Sequence, residues 1–399
     1  MRRAALCLLA GVGTAPAFAA DAIPVGGGVT LRPLVDARLR WESVDQQGLA
    51  EEADAVTARL RAGLEAATGS GFTILAETEA LLPIVADYNS GTNGRTAFPV
   101  VADPANIELN RLQLQYRPRR DVTVTVGRQR INIEDQRFVG SVGWRQNEQT
   151  FDAVRLEASR LGPFSLDLGY VWSVRTIYGI TARDLPAGSA NRPSIGGDNL
   201  LATLGVAAGP VQARAFAYLI DQDEPGRRLF SSQSYGVRAT AIVPVGGVRL
   251  NLIASYARQS DHEGNPNDYR ANYWLAEAGT SLAGFGLSAG YEVLGPGFQT
   301  PLATLHRFNG WADRFLVTPP NGLRDLYLGV SRTVLGAQAS LVWHRFTSDR
   351  LNLDYGTEWN AQLAYRIRDV RLLLKYADYQ AEAFATDTAK LWFQLEWSM

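Results

Sequence analysis

The chain has 399 residues with 39 basic and 40 acidic side chains and a single cysteine. The near-balance argues against nucleic acid as a partner, and one cysteine excludes a disulfide framework or a thiolate metal site. The length suggests two or more soluble domains, yet no Pro- or Ser-rich linker divides the chain, so one large all-β domain fits better.

The first segment is read as an export signal. Arg2 and Arg3 precede an apolar run over 4–12, and Ala17, Phe18 and Ala19 offer a small-x-small cleavage site. The expected organisation is a signal peptide at 1–19 and a barrel domain at 20–399. Cys7 leaves with the signal. Removing Arg2 and Arg3 takes the basic count from 39 to 37 against 40 acidic residues, a net charge of −3. Lysine occurs only at Lys375 and Lys390, and every other base is arginine. No later stretch reaches the roughly 18 apolar residues that a transmembrane helix needs.

From Leu34 onward, segments of about ten residues alternate apolar and polar, the period of a strand wetted on one face. Val35, Ala37, Leu39 and Trp41 oppose Asp36, Arg38, Arg40 and Glu42. Val56, Ala58, Leu60, Ala62 and Leu64 then oppose Thr57, Arg59, Arg61 and Glu65. A short turn at 67–71 is followed by a long polar loop at 82–106, and the same exchange recurs. Short turns fall at 118–121, 160–163, 208–210, 243–247 and 368–369, with long loops near 132–148, 178–198, 259–268, 295–321 and 379–387. Between them the alternation returns at 164–172, 248–256, 359–365 and 370–376. At Gly127 the run of Val122, Val124 and Val126 meets Arg128, which suggests a bulge. The last segment alternates from Leu391 to Met399, like the C-terminal strand read by the barrel assembly machinery, although Met399 replaces the usual Phe or Trp.

Counting gives about 18 strands, or 16 as the other even number. The fold class expected is a transmembrane antiparallel β-barrel in the outer membrane of a Gram-negative cell, with short turns and both termini periplasmic. A soluble sandwich would have to bury the ionised face in a shared core, which is too costly. An arginine facing lipid at mid-depth costs ~2 to 4 kcal/mol, so the Arg-bearing face is expected to line a wet lumen. Arg117, Arg238, Arg249, Arg366, Arg371 and Lys375 join Arg38, Arg40, Arg59 and Arg61 there, balanced by Glu42, Glu65, Glu77, Glu79, Glu157 and Glu358. Such a ladder either handles a polyanion through many weak contacts or braces the wall by neutralisation between strands.

Three stretches resemble the alginate export family. The first comprises Gly127-Arg128-Gln129-Arg130-Ile131, Asp135-Gln136-Arg137-Phe138-Val139-Gly140, Gly143-Trp144-Arg145-Gln146-Asn147 and Thr150-Phe151-Asp152-Ala153-Val154-Arg155-Leu156. The second runs from Thr300 through His306-Arg307-Phe308-Asn309-Gly310-Trp311-Ala312-Asp313 to Asn321-Gly322-Leu323 and Asp325, and the third is Tyr355-Gly356-Thr357-Glu358-Trp359. The resemblance implies an 18-stranded barrel with an Arg-rich constriction that passes an anionic uronate polymer. It implies Arg128, Arg130, Arg137, Arg145, Asp152 and Arg155 as constriction residues. The loop at 295–321 contains Leu302, Leu305, Phe308, Trp311 and Phe315, too apolar for a solvated tip. It is expected to fold into the barrel mouth and present His306, Arg307 and Asp313 to the passage, the alternative being a cap on the rim.

The partners implied are an anionic polysaccharide or sugar, outer-membrane lipid, the assembly machinery and, for an exporter, periplasmic components that feed it. No cofactor is expected, and Asp261, His262, Glu263 and Asp268 read as a solvated acidic loop without EF-hand spacing. A general or small-anion porin is the alternative function. An enzyme barrel acting on lipid or polysaccharide is a weaker one, since only His262, His306 and His344 are available and neither Gly-x-Ser-x-Gly nor His-Glu-x-x-His is present.

Overall fold

The computed structural model describes residues 21–399. The signal at 1–19 and the mature start at Ala20 lie outside the described residues. Nineteen strands follow one another: β1 (Ile23–Gly26), β2 (Val29–Gln46), β3 (Ala53–Thr68), β4 (Phe72–Asp87), β5 (Asn106–Arg119) and β6 (Val122–Gln129). Next come β7 (Thr150–Leu161), β8 (Phe164–Arg175), β9 (Ser194–Ala208), β10 (Val211–Ile220), β11 (Ser232–Val245) and β12 (Val248–Asp261). The last are β13 (Arg270–Leu282), β14 (Phe285–Leu294), β15 (Leu323–Val334), β16 (Ala337–Thr347), β17 (Asp354–Ile367), β18 (Val370–Ala381) and β19 (Thr388–Ser398). The short β1 folds back on β2. From β2 onward each strand pairs antiparallel with the next, and β19 pairs with β2, so 18 strands close into a barrel with no free edge.

Connections alternate between two-or-three-residue turns at one rim and longer loops at the other. Both ends of the described chain lie at the turn rim. Loops at 47–52, 221–231 and 348–353, and turns at 283–284 and 335–336, complete a pattern that the composition of the other connections had already set.

The alternation separates the faces as expected. Leu39 and Leu60 are 42% and 48% exposed on the outer wall, whereas Arg38 and Arg59 on the inner wall are 4% and 2% exposed. The expectation of a wet lumen along the whole Arg face is corrected by those same values. Loops at 88–105, 130–149, 176–193 and 295–322 turn inward and cover the arginines, so at that level the interior is packed protein. Val139 and Leu302 form a β-bridge between two of these loops. Around them Phe138, Phe216, Tyr218, Tyr273 and Phe298 form one aromatic cluster, and Phe315, Phe346, Tyr355, Tyr379 and Phe384 form another. Strand alternation turns Phe216, Tyr218, Tyr273, Phe346, Tyr355 and Tyr379 inward, and the loops bring Phe138, Phe298, Phe315 and Phe384 to meet them.

Candidate functional site: a plugged, arginine-lined lumen

The wall comes first. Inward positions of β2, β3 and β4 supply Arg38, Arg40, Glu42, Arg59, Arg61, Glu77 and Glu79. Arg38 and Arg59 stand directly opposite one another, an arrangement stable only with carboxylates between them. Glu396 of β19 supplies one, 2.7 Å from Arg38 and 3.7 Å from Arg59, and Asp36 bonds Arg59. Arg61 pairs with Glu79 at 2.5 Å. The rest of this donor capacity points at the 130–149 loop. Arg38 Nη1 donates to the carbonyls of Gly143, Trp144 and Arg145 at 3.3, 3.2 and 3.3 Å. Arg40 donates to the Trp144 carbonyl at 2.6 Å, lies 4.1 Å from the centre of the Trp144 ring and faces Asp103 at 3.6 Å. The guanidiniums therefore satisfy loop carbonyls that would otherwise be buried without donors.

Glu148 closes this loop. Its carboxylate meets Arg130 at 2.5 Å and Arg61 at 3.3 Å and accepts from the Asn110 amide at 2.6 Å. Burial pushes its pKa up, but Arg130, Arg61 and Asn110 outweigh burial and hold it down at about 2.

The 295–322 loop enters from the opposite side, as its apolar content predicts. Asp313 is its hub, reaching Arg145 at 2.7 Å, Lys390 at 3.0 Å and His306 Nδ1 at 2.7 Å. Burial alone would raise this carboxyl; the surrounding cations hold it well below its ordinary value. His306 is neutral: burial depresses its pKa strongly, with Lys375 and Arg145 adding to the effect. Its Nδ1–H donates to Asp313, and Nε2 accepts from Lys375 Nζ at 2.6 Å. The ring stacks on Trp144 at 4.6 Å and 7°. Lys375 Nζ is held between the rings of Trp311 and Trp144, 3.8 and 4.0 Å from their centres. Farther along, the backbone N–H groups of Trp311 and Ala312 donate to Glu358 on β17 at 2.5 and 2.9 Å. Gly310, immediately before Trp311, has φ +83°, and a Cβ there would lie 2.3 Å from Glu358 Oε2. Only glycine admits so close an approach.

Arg137 is equally committed. It bonds Glu292 at 2.7 Å, Thr300 at 3.1 Å and Asn309 at 3.1 Å, tying the two loops to β14. Arg155 lies on the inner wall in a bidentate pair with Asp167 at 2.9 and 2.6 Å. Arg128 and Asp152 require a correction: they are on the outer face. The alternation runs unbroken through Gly127, whose φ of +110° lets its backbone pass close to Leu112. Arg128 thus keeps the phase of Val122, Val124 and Val126, opposite the outward Leu112, and pairs with Asp152 at 2.8 and 2.9 Å. Neither lines the lumen. Glu148, Glu292 and Asp103, which anchor the plug, were not singled out from the sequence; their roles depend on partners far away in the chain.

Space remains on the turn side of the plug. One cavity of ≈350 Å³ is lined by Arg38, Arg111, Arg130, Arg371, Trp144 and Lys375. Another of ≈700 Å³ is lined by Arg238, Glu277, Tyr327, Phe308 and His344. Arg307 and Trp311 line both. Among the described residues Arg307 has no ion pair and no side-chain hydrogen bond; the contact of its guanidinium is the Phe308 ring at 5.9 Å. It lies within electrostatic reach of Glu277 without forming an ion pair with it, and its donors face two chambers.

Residues 92–175 match the alginate export family model. No curated protein matches the sequence. Among solved structures, OpdO of Pseudomonas aeruginosa superposes with a TM-score of 0.70 at 14% identity, covering 92% of this chain and 97% of that one. OccAB4 of Acinetobacter baumannii gives 0.67 at 12%, covering 92% and 98%. OpdK of Pseudomonas aeruginosa, crystallised with vanillate, gives 0.66 at 12%, again covering 92% and 98%. The chain is therefore a closed 18-stranded barrel that shares its fold with the Pseudomonas outer-membrane channels and is similar over residues 92–175 to the alginate export family.

Proposed function

We propose that the protein is an outer-membrane channel for carboxylate sugars of the uronate type and for the anionic polysaccharide they build, with turns and termini in the periplasm. The observation that carries this reading is the Arg307 guanidinium between two lumen cavities, near Glu277 but in no ion pair, where most cations of the wall already hold carboxylates. A passing carboxylate gains a charge-assisted bond there without first displacing a resident anion. Residues 1–19 serve export, the C-terminal strand serves recognition by the assembly machinery, and periplasmic components deliver a polymer. For a polymer to pass, the 130–149 and 295–322 loops must withdraw.

A second reading, a channel for small carboxylates, is favoured by cavities of ≈350 and ≈700 Å³, the scale of a single sugar or aromatic acid. The vanillate bound to OpdK fits it. An enzyme is disfavoured because both nitrogens of His306 are engaged, and His344 Nδ1 bonds Asp325 at 2.8 Å.

Planar-bilayer conductance tests the proposal. The current should be anion-selective and blocked by added oligouronate. Arg307→Ala should weaken the block about tenfold, the effect of losing one charge-assisted contact. Arg128→Ala, on the outer wall, should leave it unchanged. Block by monomeric uronate or vanillate but not by the oligomer would select the small-carboxylate reading. A large current indifferent to all three would remove both and leave a general porin.

A further inference from the structure

The outer wall of β11–β15 is unlike the rest of the barrel surface. Near the loop rim, Arg258 on β12 and Arg270 on β13 project outward, and Arg350 reaches the same place from the 348–353 loop. Arg270 and Arg350 line one rim cavity of ≈170 Å³ with Asn272 and Trp274, and Arg258 stands opposite Asn272 in the ladder. Among the described residues none of the three arginines forms an ion pair. The one carboxylate of that cavity, Asp349, is committed to Arg324 at 3.1 Å. Three guanidiniums without counterions converge on one edge.

Below them lies an aromatic band. Tyr256 and Trp274 pack with ring centres 4.2 Å apart, and the Tyr256 hydroxyl donates to Asn272 at 3.1 Å. Such rings mark the level between headgroups and acyl chains. Below the band the wall is hollow. Ala254, Ala276, Ala278 and Ala289 stand where other strands carry leucine, valine or phenylalanine, and an outward-opening depression of ≈560 Å³ results, bounded by Tyr291 and Leu326. Arg258 lies four positions along β12 from Ala254, about 13 Å at strand rise. That is the drop from a phosphate to the upper methylenes of its acyl chains.

We infer that this face binds one phosphorylated, multi-acyl lipid of the leaflet at the loop side, its phosphate on Arg258, Arg270 and Arg350 and a chain seated in the hollow. The choice rests on complementarity at both ends. Unpaired guanidiniums favour a phosphate, which accepts their forked donors bidentately. The depression lies at chain depth, open to the hydrocarbon, and an apolar void next to lipid is filled by the neighbouring methylenes. The inference needs the barrel to sit in a membrane but does not depend on what passes through it.

The test uses the full barrel in detergent micelles, titrated with bisphosphorylated lipid A and examined by native mass spectrometry. Wild-type protein should retain one lipid A through delipidating washes. The R258Q/R270Q/R350Q variant should lose it by about tenfold or more, three surface cation contacts being removed. A276L/A278L, with the arginines intact and the hollow filled, should also retain less. Both variants should keep the wild-type conductance and oligouronate block, which shows that they are folded and separates this result from the channel reading. Retention of dephosphorylated lipid A as strong as that of the phosphorylated form, undiminished retention by either variant, or saturation of the site by inorganic phosphate with no preference for lipid would overturn the inference.

Discussion

Asp313→Ala should open the channel. The carboxylate holds Arg145, Lys390 and His306 at 2.7, 3.0 and 2.7 Å, and all four side chains are nearly inaccessible to solvent. After truncation Arg145 retains only Glu42 at 3.7 Å and Lys390 loses its carboxylate. Removing one partner of a buried ion pair costs ~3 to 5 kcal/mol, because the other charge is left uncompensated. The barrel wall is held by its own ladder, so the cost falls on docking of the 130–149 and 295–322 loops. At ~1.4 kcal/mol per tenfold, the undocked population should rise by ~10² to 10³. Single-channel recording should show larger or more frequent openings, and hydrogen exchange should show loss of protection at 130–149 and 300–313 with the strands unchanged. Asp152→Ala, at the outer wall, is the control. Wild-type conductance together with wild-type protection of both loops in Asp313→Ala would refute the idea that this buried network closes the lumen.

Acid should loosen the plug. Glu148, held at about 2, stabilises the docked loop fully above its ordinary range and loses that contribution as pH falls from about 4.5 toward 2. Asp313, also depressed, acts in the same direction, and protonation of the buried neutral His306 beside Lys375 adds repulsion. Conductance should therefore rise as pH falls below about 4; unchanged conductance between about pH 5 and 3 would contradict these assignments. Gly310→Ala should displace the Trp311 and Ala312 N–H groups from Glu358, since the new Cβ meets Oε2 at 2.3 Å. Increased open probability without loss of barrel assembly, read by heat-modifiable gel mobility, is the expected result. Leu60→Arg, near the middle of the outer face of β3, should destabilise the barrel by ~2 to 4 kcal/mol in denaturant titrations in vesicles.

The barrel was legible because its signal is local. The pair Leu39 and Arg38 declares two faces within two residues, and every strand repeats the statement. The inward fold of 295–322 was legible for a similar reason: Leu302, Phe308 and Trp311 are too apolar to remain in water. Other features depend on distance. Glu148 reads as one more loop carboxylate until Arg61 arrives from β3, and Asp103 is ordinary until Arg40 faces it. The error at Arg128 has a narrower cause. A glycine with positive φ fits a bulge, which would turn Arg128 inward, or a close pass of two strands, which leaves it outward, and only the register against Leu112 decides between them. The dry plug was missed because alternation reports which face is polar and says nothing of whether water or protein meets it.

The seam between β19 and β2 carries a consequence for biogenesis. Ser398 sits opposite Asp36, and Met399 exchanges both main-chain hydrogen bonds with Val35 at 3.1 and 2.8 Å. The ring cannot shut until β19 has arrived, so the strands before it do not mature alone, and a chain that stops before Thr388 has two raw sheet borders. Such a fragment would add strands from any neighbour it met, so disposal of incomplete molecules is as much a requirement of this architecture as the machinery that inserts complete ones.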